Sequence, residues 1–268
     1  PADLSALRLA TAAGLAAAAC VLVATLSAPA AAQIVNVQPL LSDEDGDGFK
    51  LEVNGSMTWK TGNVDLFLGK ASLLMTYREG IHKLISSSKA EVGLKGGDEF
   101  LERVFTHVRY QIFAYEWLTW ETYTQAATDR FRRVALRALV GTGPRFELIT
   151  GPAVVAAVGV SYMFEREVLG SGDQADSGAA NNNHRASLFV TGRFTLDPML
   201  SLVHTTYLQP RLDNPIGDVR LASDTSLVVK FNDHLGLSVG FSVTYDSAPP
   251  IGVHDVDTAT NVGLTFTL

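Results

Sequence analysis

Between Gly48 and Lys60 the chain changes character at every residue. Phe49, Leu51, Val53, Gly55, Met57 and Trp59 alternate with Lys50, Glu52, Asn54, Ser56, Thr58 and Lys60. A period of two belongs to an extended strand with one face against something apolar and the other against something polar. The pattern returns. Val104, Thr106, Val108, Tyr110 and Ile112 oppose Arg103, His107, Arg109 and Gln111. In the last segment, Val262, Leu264, Phe266 and Leu268 oppose Asn261, Gly263, Thr265 and Thr267. A soluble sandwich turns such apolar faces inward. A membrane barrel turns them outward to lipid and keeps the polar faces inside.

The pattern predicts strands near 48–60, 64–78, 81–95, 101–114, 117–126, 134–148, 153–166, 185–196, 200–210, 218–231, 235–246 and 258–268. The expected fold is all-β: an antiparallel up-and-down transmembrane β-barrel of about twelve strands over residues 48–268. The second, fifth and ninth segments alternate poorly, and 126–139 carries a helix-like pattern.

The connections separate by parity. Even ones are tight, at Arg78-Glu79-Gly80, Tyr115-Glu116, Thr150-Gly151-Pro152, Asp197-Pro198 and Asn232-Asp233-His234. Three odd ones are expected to be longer: Leu169 to Asn183, Arg211 to Gly217, and Ser247 to Asp257. Outer-membrane barrels have short periplasmic turns and longer external loops. The polar tract from Gly170 to Asn183 is therefore expected to be a mobile external loop.

Residues 1–32 have the layout of a cleaved signal peptide, with an apolar Ala-rich run after Arg8, then Pro29 and Ala30-Ala31-Ala32. An acidic periplasmic lead-in is expected at 33–47. The single cysteine, Cys20, falls in the first segment, so backbone pairing rather than disulfides must hold the rest. A net charge of -7 argues against a nucleic-acid partner.

If the apolar faces meet lipid, the lumen-facing candidates are Lys50, Glu52, Arg103, His107, Arg109, Arg193, Arg220, Asp224 and Lys230. Val262, Leu264, Phe266 and Leu268 are expected to carry barrel closure, beside the Phe49–Trp59 row, and the assembly signal. Other motifs are weaker. Gly96-Gly97-Asp98-Glu99-Phe100 spells a diguanylate cyclase signature but joins two alternating segments, where Gly-Gly-Asp is hairpin chemistry. Asp43-Glu44-Asp45-Gly46-Asp47-Gly48 resembles the start of a calcium loop, yet its twelfth position is Asn54 and a strand follows. The six histidines do not cluster at metal-ligand spacing, and no His-x-Ser pair sits on a clear strand face.

Several segments resemble the domain-of-unknown-function 481 family. They are Gly62-Asn63, then Leu118-Thr119-Trp120-Glu121-Thr122-Tyr123-Thr124-Gln125 leading to Asp129-Arg130-Phe131. Next come Leu136-Arg137 with Gly141-Thr142-Gly143-Pro144-Arg145-Phe146, and Gly159-Val160-Ser161-Tyr162. The last is Tyr245-Asp246-Ser247-Ala248-Pro249-Pro250 with Asp257 and the terminal strand. The resemblance, to YdiY-like proteins described as salt-induced, covers 46–268 and implies an outer-membrane barrel of no established activity. Leu268 departs from the terminal Phe common in such barrels.

The expectation is a Gram-negative outer-membrane protein, structural or a narrow channel for small polar solutes or ions, with no enzyme activity and no cofactor or metal. Its partners would be outer-membrane lipid and the barrel assembly machinery. The alternatives are an outer-membrane enzyme acting on lipid and a soluble exported β-barrel binding protein. Leu268→Phe is predicted to leave the fold unchanged and to raise assembly yield, read by heat-modifiable gel migration; a lower yield counts against the terminal-signal reading.

Overall fold

The computed structural model describes residues 46–62, 64–232 and 235–266, without the side chains of Asn54 and 264–266. The expected signal peptide, most of the acidic lead-in with its calcium-like Asp43 and Asp45, and Leu268 lie outside these residues. So do the side chains of Leu264 and Phe266.

Among the described residues twelve strands follow in chain order: β1 (Gly48–Lys60), β2 (Leu66–Glu79), β3 (His82–Lys95), β4 (Asp98–Tyr115), β5 (Leu118–Asp129) and β6 (Val134–Thr150), then β7 (Val154–Leu169), β8 (Ala180–Asp197), β9 (Leu200–Arg211), β10 (Asn214–Lys230), β11 (Leu235–Asp246) and β12 (Val256–Phe266). Each pairs antiparallel with the next in a single up-and-down sheet. No helix among the described residues is long and apolar enough to cross a membrane, which leaves crossing by strands untouched.

The sheet is rolled. Glu165 on β7 bonds Arg220 on β10 at 2.7 Å, although three strand spacings span roughly 14 Å on a flat sheet. Arg132, after β5, likewise reaches Asp257 on β12. Residues paired directly across a ladder share a face. The row Lys50, Thr76, Ile85, Arg109, Tyr123, Gly141, Met163 and Arg185 therefore runs along the inside of β1 to β8. Lys83, Arg109, Glu121, Arg137, Glu165 and Arg185 are buried, while Val53, Met57, Val104, Val140, Val160, Val190 and Phe241 are exposed. The polarity is inverted relative to a soluble domain, where buried charge is rare and apolar faces turn inward.

The expected closing ladder is not formed: among the described residues β1 and β12 do not pair, and the sheet curls without shutting. Every described side chain of β1 is exposed, which is the state of an edge strand packed by a neighbour on one side only.

Three expectations are corrected. The stretch 126–139 is strand, turn, strand. Asp129 Oδ1 accepts from the backbone N–H groups of Phe131 and Arg132, each at 3.1 Å, and Arg133 takes φ 58°. The polar tract is largely paired, with Asn181, Asn182 and Asn183 opposite Glu167, Arg166 and Glu165, so the connection shrinks to 170–179. Arg211 to Gly217 is not a long loop either. β10 begins at Asn214, and the extra residues form an irregularity between Asn214 and Val219. Gly96 and Gly97, with φ 61° and 91°, make the β3–β4 turn, and Asp98 opens β4.

Two interior glycines matter sterically. Gly141 lies opposite Tyr123 and Gly159 opposite Phe189. A Cβ on Gly159 would sit 2.0 Å from the Phe189 ring, and one on Gly141 2.4 Å from the Tyr123 ring. Each ring lies flat across the neighbouring strand because that strand lacks a side chain there. Gly159→Val is predicted to destabilise the folded sheet by about 1–3 kcal/mol, the usual cost of overpacking. Phe189→Ala should recover part of that loss when combined with it, measured by the temperature at which the heat-modifiable band shifts.

Candidate functional site

The inward charges assemble into one buried network towards the end that carries the odd connections. Glu165 is fully buried and accepts from three guanidinium groups: Arg137 Nε at 2.5 Å, Arg185 Nε at 3.3 Å and Arg220 Nη1 at 2.7 Å. Asn183 Nδ2 adds a fourth bond at 3.2 Å. Arg220 also donates to Glu167 at 2.9 Å and to Asp246 at 3.2 Å, and Arg185 donates to Asp218 at 2.7 Å. Arg211 completes the set on Asp218 at 3.1 Å. Four arginines thus face four carboxylates, across strands β6 to β11. Alternation alone puts these side chains inside, and the rolled sheet supplies the cross-strand partners.

A second group lies deeper. Arg109 Nη1 donates to Glu121 at 2.9 Å, Gln111 Nε2 donates to the other oxygen of Glu121 at 2.8 Å, and the guanidinium sits 5.2 Å from the Tyr123 ring centre. His107 stacks between Phe105 and Tyr123. A cavity of about 30 Å³, on the scale of a water molecule, lies between His107, Tyr123, Phe189, Tyr207 and Gln209. The opposite end is lined differently. Gly236, Ser238, Gly240 and Ser242 of β11 face Lys230, Val228, Ser226 and Asp224 of β10 on the inner side, so this stretch of β11 brings only small side chains to the interior.

Over the charged end three connections lock together. Arg133 donates to Asp176 at 2.7 Å, to Ser177 at 2.9 Å and to the Ile251 carbonyl at 2.8 Å. The Ile251 N–H donates to the other Asp176 oxygen at 2.8 Å. This latch joins 130–133, 170–179 and 247–255. The Ile251 N–H, against an opposing effect of desolvation and with support from the Arg133 guanidinium, holds the Asp176 carboxyl below its ordinary value.

The structure places the expected lumenal residues as follows. Arg109 and Arg220 are buried in the networks, and His107 is buried in the aromatic stack. Arg103 bonds Asp129 at 2.9 Å and lies near Glu91. Asp224 pairs with buried Thr205, and Arg193 pairs with Val155 and Val203. Lys50 and Glu52 lie on the inner face but are exposed on edge strand β1, and Lys230 is exposed at the rim. The selection omitted Arg137, Glu165, Glu167, Arg185, Asp218 and Asp246, which the two-residue period places on the same faces. Of the closure residues, Val262 is exposed and pairs with Val239 of β11.

One polar cluster faces outward. His204, in the middle of β9, contacts Thr225 at 2.9 Å and Thr206 at 3.0 Å, and Thr206 contacts Ser223 at 3.0 Å. Sequence reading missed it because the partners lie on two strands. Among the described residues no group of His, Cys, Asp and Glu is disposed to hold a metal ion.

The family described as "Protein of unknown function, DUF481" matches residues 53–268. Comparison with curated proteins gives no match. Among solved structures, the chain is similar to the NanC porin, with a TM-score of 0.49 and 9% identity, over 81% of this chain and 99% of the other. It is also similar to the translocator domain of autotransporter NalP from Neisseria meningitidis, with a TM-score of 0.46 and 12% identity, over 87% and 92%.

Two outcomes follow. Glu165→Gln leaves three arginines facing each other without their shared carboxylate and should cost about 3–5 kcal/mol, the effect of removing one member of a buried ionic cluster; chemical denaturation in detergent measures it. The latch depends on ionised Asp176. A carboxyl lowered by folding stabilises above its ordinary value, and that stability is lost as pH falls through the lowered one. Protease protection of 170–179 should therefore persist at neutral and mildly acidic pH and fail only below the ordinary aspartate range, whereas Asp176→Asn should lose it at pH 7.

Proposed function

The chain belongs to this family of proteins of unknown function, and we propose that it is an outer-membrane β-barrel whose polar interior is a narrow path for small polar solutes or ions, held nearly shut by the Glu165 network. The inverted polarity of the rolled sheet carries the reading. An outward surface rich in Val, Met and Phe suits lipid, and an inward surface of paired charge suits a wet or packed lumen. A soluble binding protein would leave that apolar surface in water, far beyond the patches monomers ordinarily expose. The tight even turns fit the periplasmic rim, and the latched connections fit the outside. At about twelve strands a barrel lies between those filled by side chains and the open porins. Here Arg137, Arg185 and Arg220 fill one half, while the Gly and Ser residues of β11 leave room in the other.

The reading assigns no catalysis. The one observation favouring an enzyme acting on lipid is the outward His204 with its hydroxyl partners, since a base within hydrogen-bond reach of a hydroxyl is the beginning of a nucleophilic site. His204 lies in the middle of its strand, however, at the depth of acyl chains rather than of ester carbonyls. Both its ring nitrogens already meet threonine hydroxyls.

Planar-bilayer recording of the refolded protein tests the proposal. Small discrete steps are expected for the wild type, and larger ones for Glu165→Ala combined with Arg220→Ala, which shortens both sides of the obstruction. Silence from both proteins sinks the channel reading. Extraction without detergent and the absence of heat-modifiable migration sink the membrane barrel itself.

A further inference from the structure

Among the described residues, His107 Nδ1 on β4 and Gln209 Oε1 on β9 are buried polar atoms without a well-formed hydrogen bond. Their residues are 3% and 6% exposed. Such orphans are scarce in folded proteins and call for a specific explanation. These two line the same cavity of about 30 Å³, and Arg109, Gln125, Ser161, Ser187 and Tyr207 are among the other polar groups of its wall. They approach it from strands five places apart, across the rolled interior.

The bonds on their other atoms fix what each offers. Arg109 Nε–H is directed at His107 Nε2 at 3.4 Å, so Nε2 accepts and the proton of the neutral ring sits on Nδ1. Gln209 gives its amide hydrogen to Ser187 Oγ at 3.3 Å, which leaves its carbonyl oxygen for the cavity. One wall therefore offers a donor and the other an acceptor. The nearest full charge, on Arg109, is matched by Glu121 at 2.9 Å. A cation would meet one carbonyl and an opposing N–H. An anion would meet the carbonyl head-on. A neutral molecule with a hydrogen to give and a lone pair to receive satisfies both walls, and the volume admits a molecule of water size with its usual two to four polar partners.

We propose that this cavity is a binding site for one small uncharged hydrogen-bonding molecule of the size of water, bridging β4 and β9. The site rests on the rolled sheet alone.

The test is nitrogen NMR of the full chain, labelled at histidine and refolded in detergent micelles, with water as the probe. The expected result is a His107 ring protonated on Nδ1 whose proton shows a cross-peak to water. Gln209→Leu removes the acceptor and should weaken that cross-peak several-fold while heat-modifiable migration stays unchanged. A His107 proton on Nε2, an Nδ1–H without a water contact, or a saturable shift of the His107 signal on adding chloride or potassium overturns the proposal. The wild-type spectrum decides even if Gln209→Leu fails to fold. A water contact in a protein silent in bilayers supports the site and sinks only the channel.

Discussion

Glu165 and the three guanidinium groups around it are the interaction on which the architecture turns. Burying a carboxylate without compensation is prohibitive, and so is burying an arginine. Arg137, Arg185 and Arg220 stand on three different strands, and each reaches the same carboxylate from its own direction. That convergence exists only when β6 to β10 curl to one particular radius. The desolvation cost of these groups makes the network weak evidence of high stability. It is strong evidence of a specified shape, because any flatter or tighter sheet leaves a charge stranded.

The rest of the inner wall follows from the same requirement. Tyr123 and Phe189 lie over Gly141 and Gly159, so aromatic rings brace adjacent strands where no side chain competes for the space. The deeper group around Arg109 repeats the logic with Glu121 and Gln111. Above, the Arg133 latch ties the connections over the charged end. Curvature, filling and capping thus concentrate in β4 to β10, while β1 and β12 remain edges.

Most of this was legible as pattern and little of it as partnership. Most of the twelve segments were readable from a period of two, because the side chains of an extended chain alternate between faces. The faces of Arg103, His107 and Arg109 were readable for the same reason. β5 alternated poorly since its inner residues Glu121 and Gln125 are polar while its outer ones include Thr122 and Thr124, so hydropathy barely changes from one face to the other. Asn181 to Asn183 looked like loop by composition and are strand because β7 extends far enough to pair with them. The Glu165 network was invisible, since Arg220 lies 55 residues from Glu165 in the chain and only ladder register and curvature bring them together. The His204 cluster was lost likewise, its Thr206 being adjacent on the strand but Ser223 and Thr225 arriving from β10.

Why such an interior is filled with ion pairs rather than leucine follows from the proposed setting. In a soluble domain the inside must be more apolar than the outside for folding to be driven. With lipid outside, an apolar lumen would make the two faces of every strand alike, and a one-residue slip of register would cost little. Charged inner residues make each slip place an arginine or a carboxylate in lipid, at a penalty of about 2–4 kcal/mol for a cationic side chain at mid-depth. Register is then enforced separately on every strand that carries such a residue: Arg109 on β4, Arg137 on β6, Arg185 on β8 and Arg220 on β10. β11, whose inner face is largely Gly and Ser, lacks that enforcement over most of its length until Asp246. The wall with the most room for a path is therefore also the wall whose alignment is least constrained by charge.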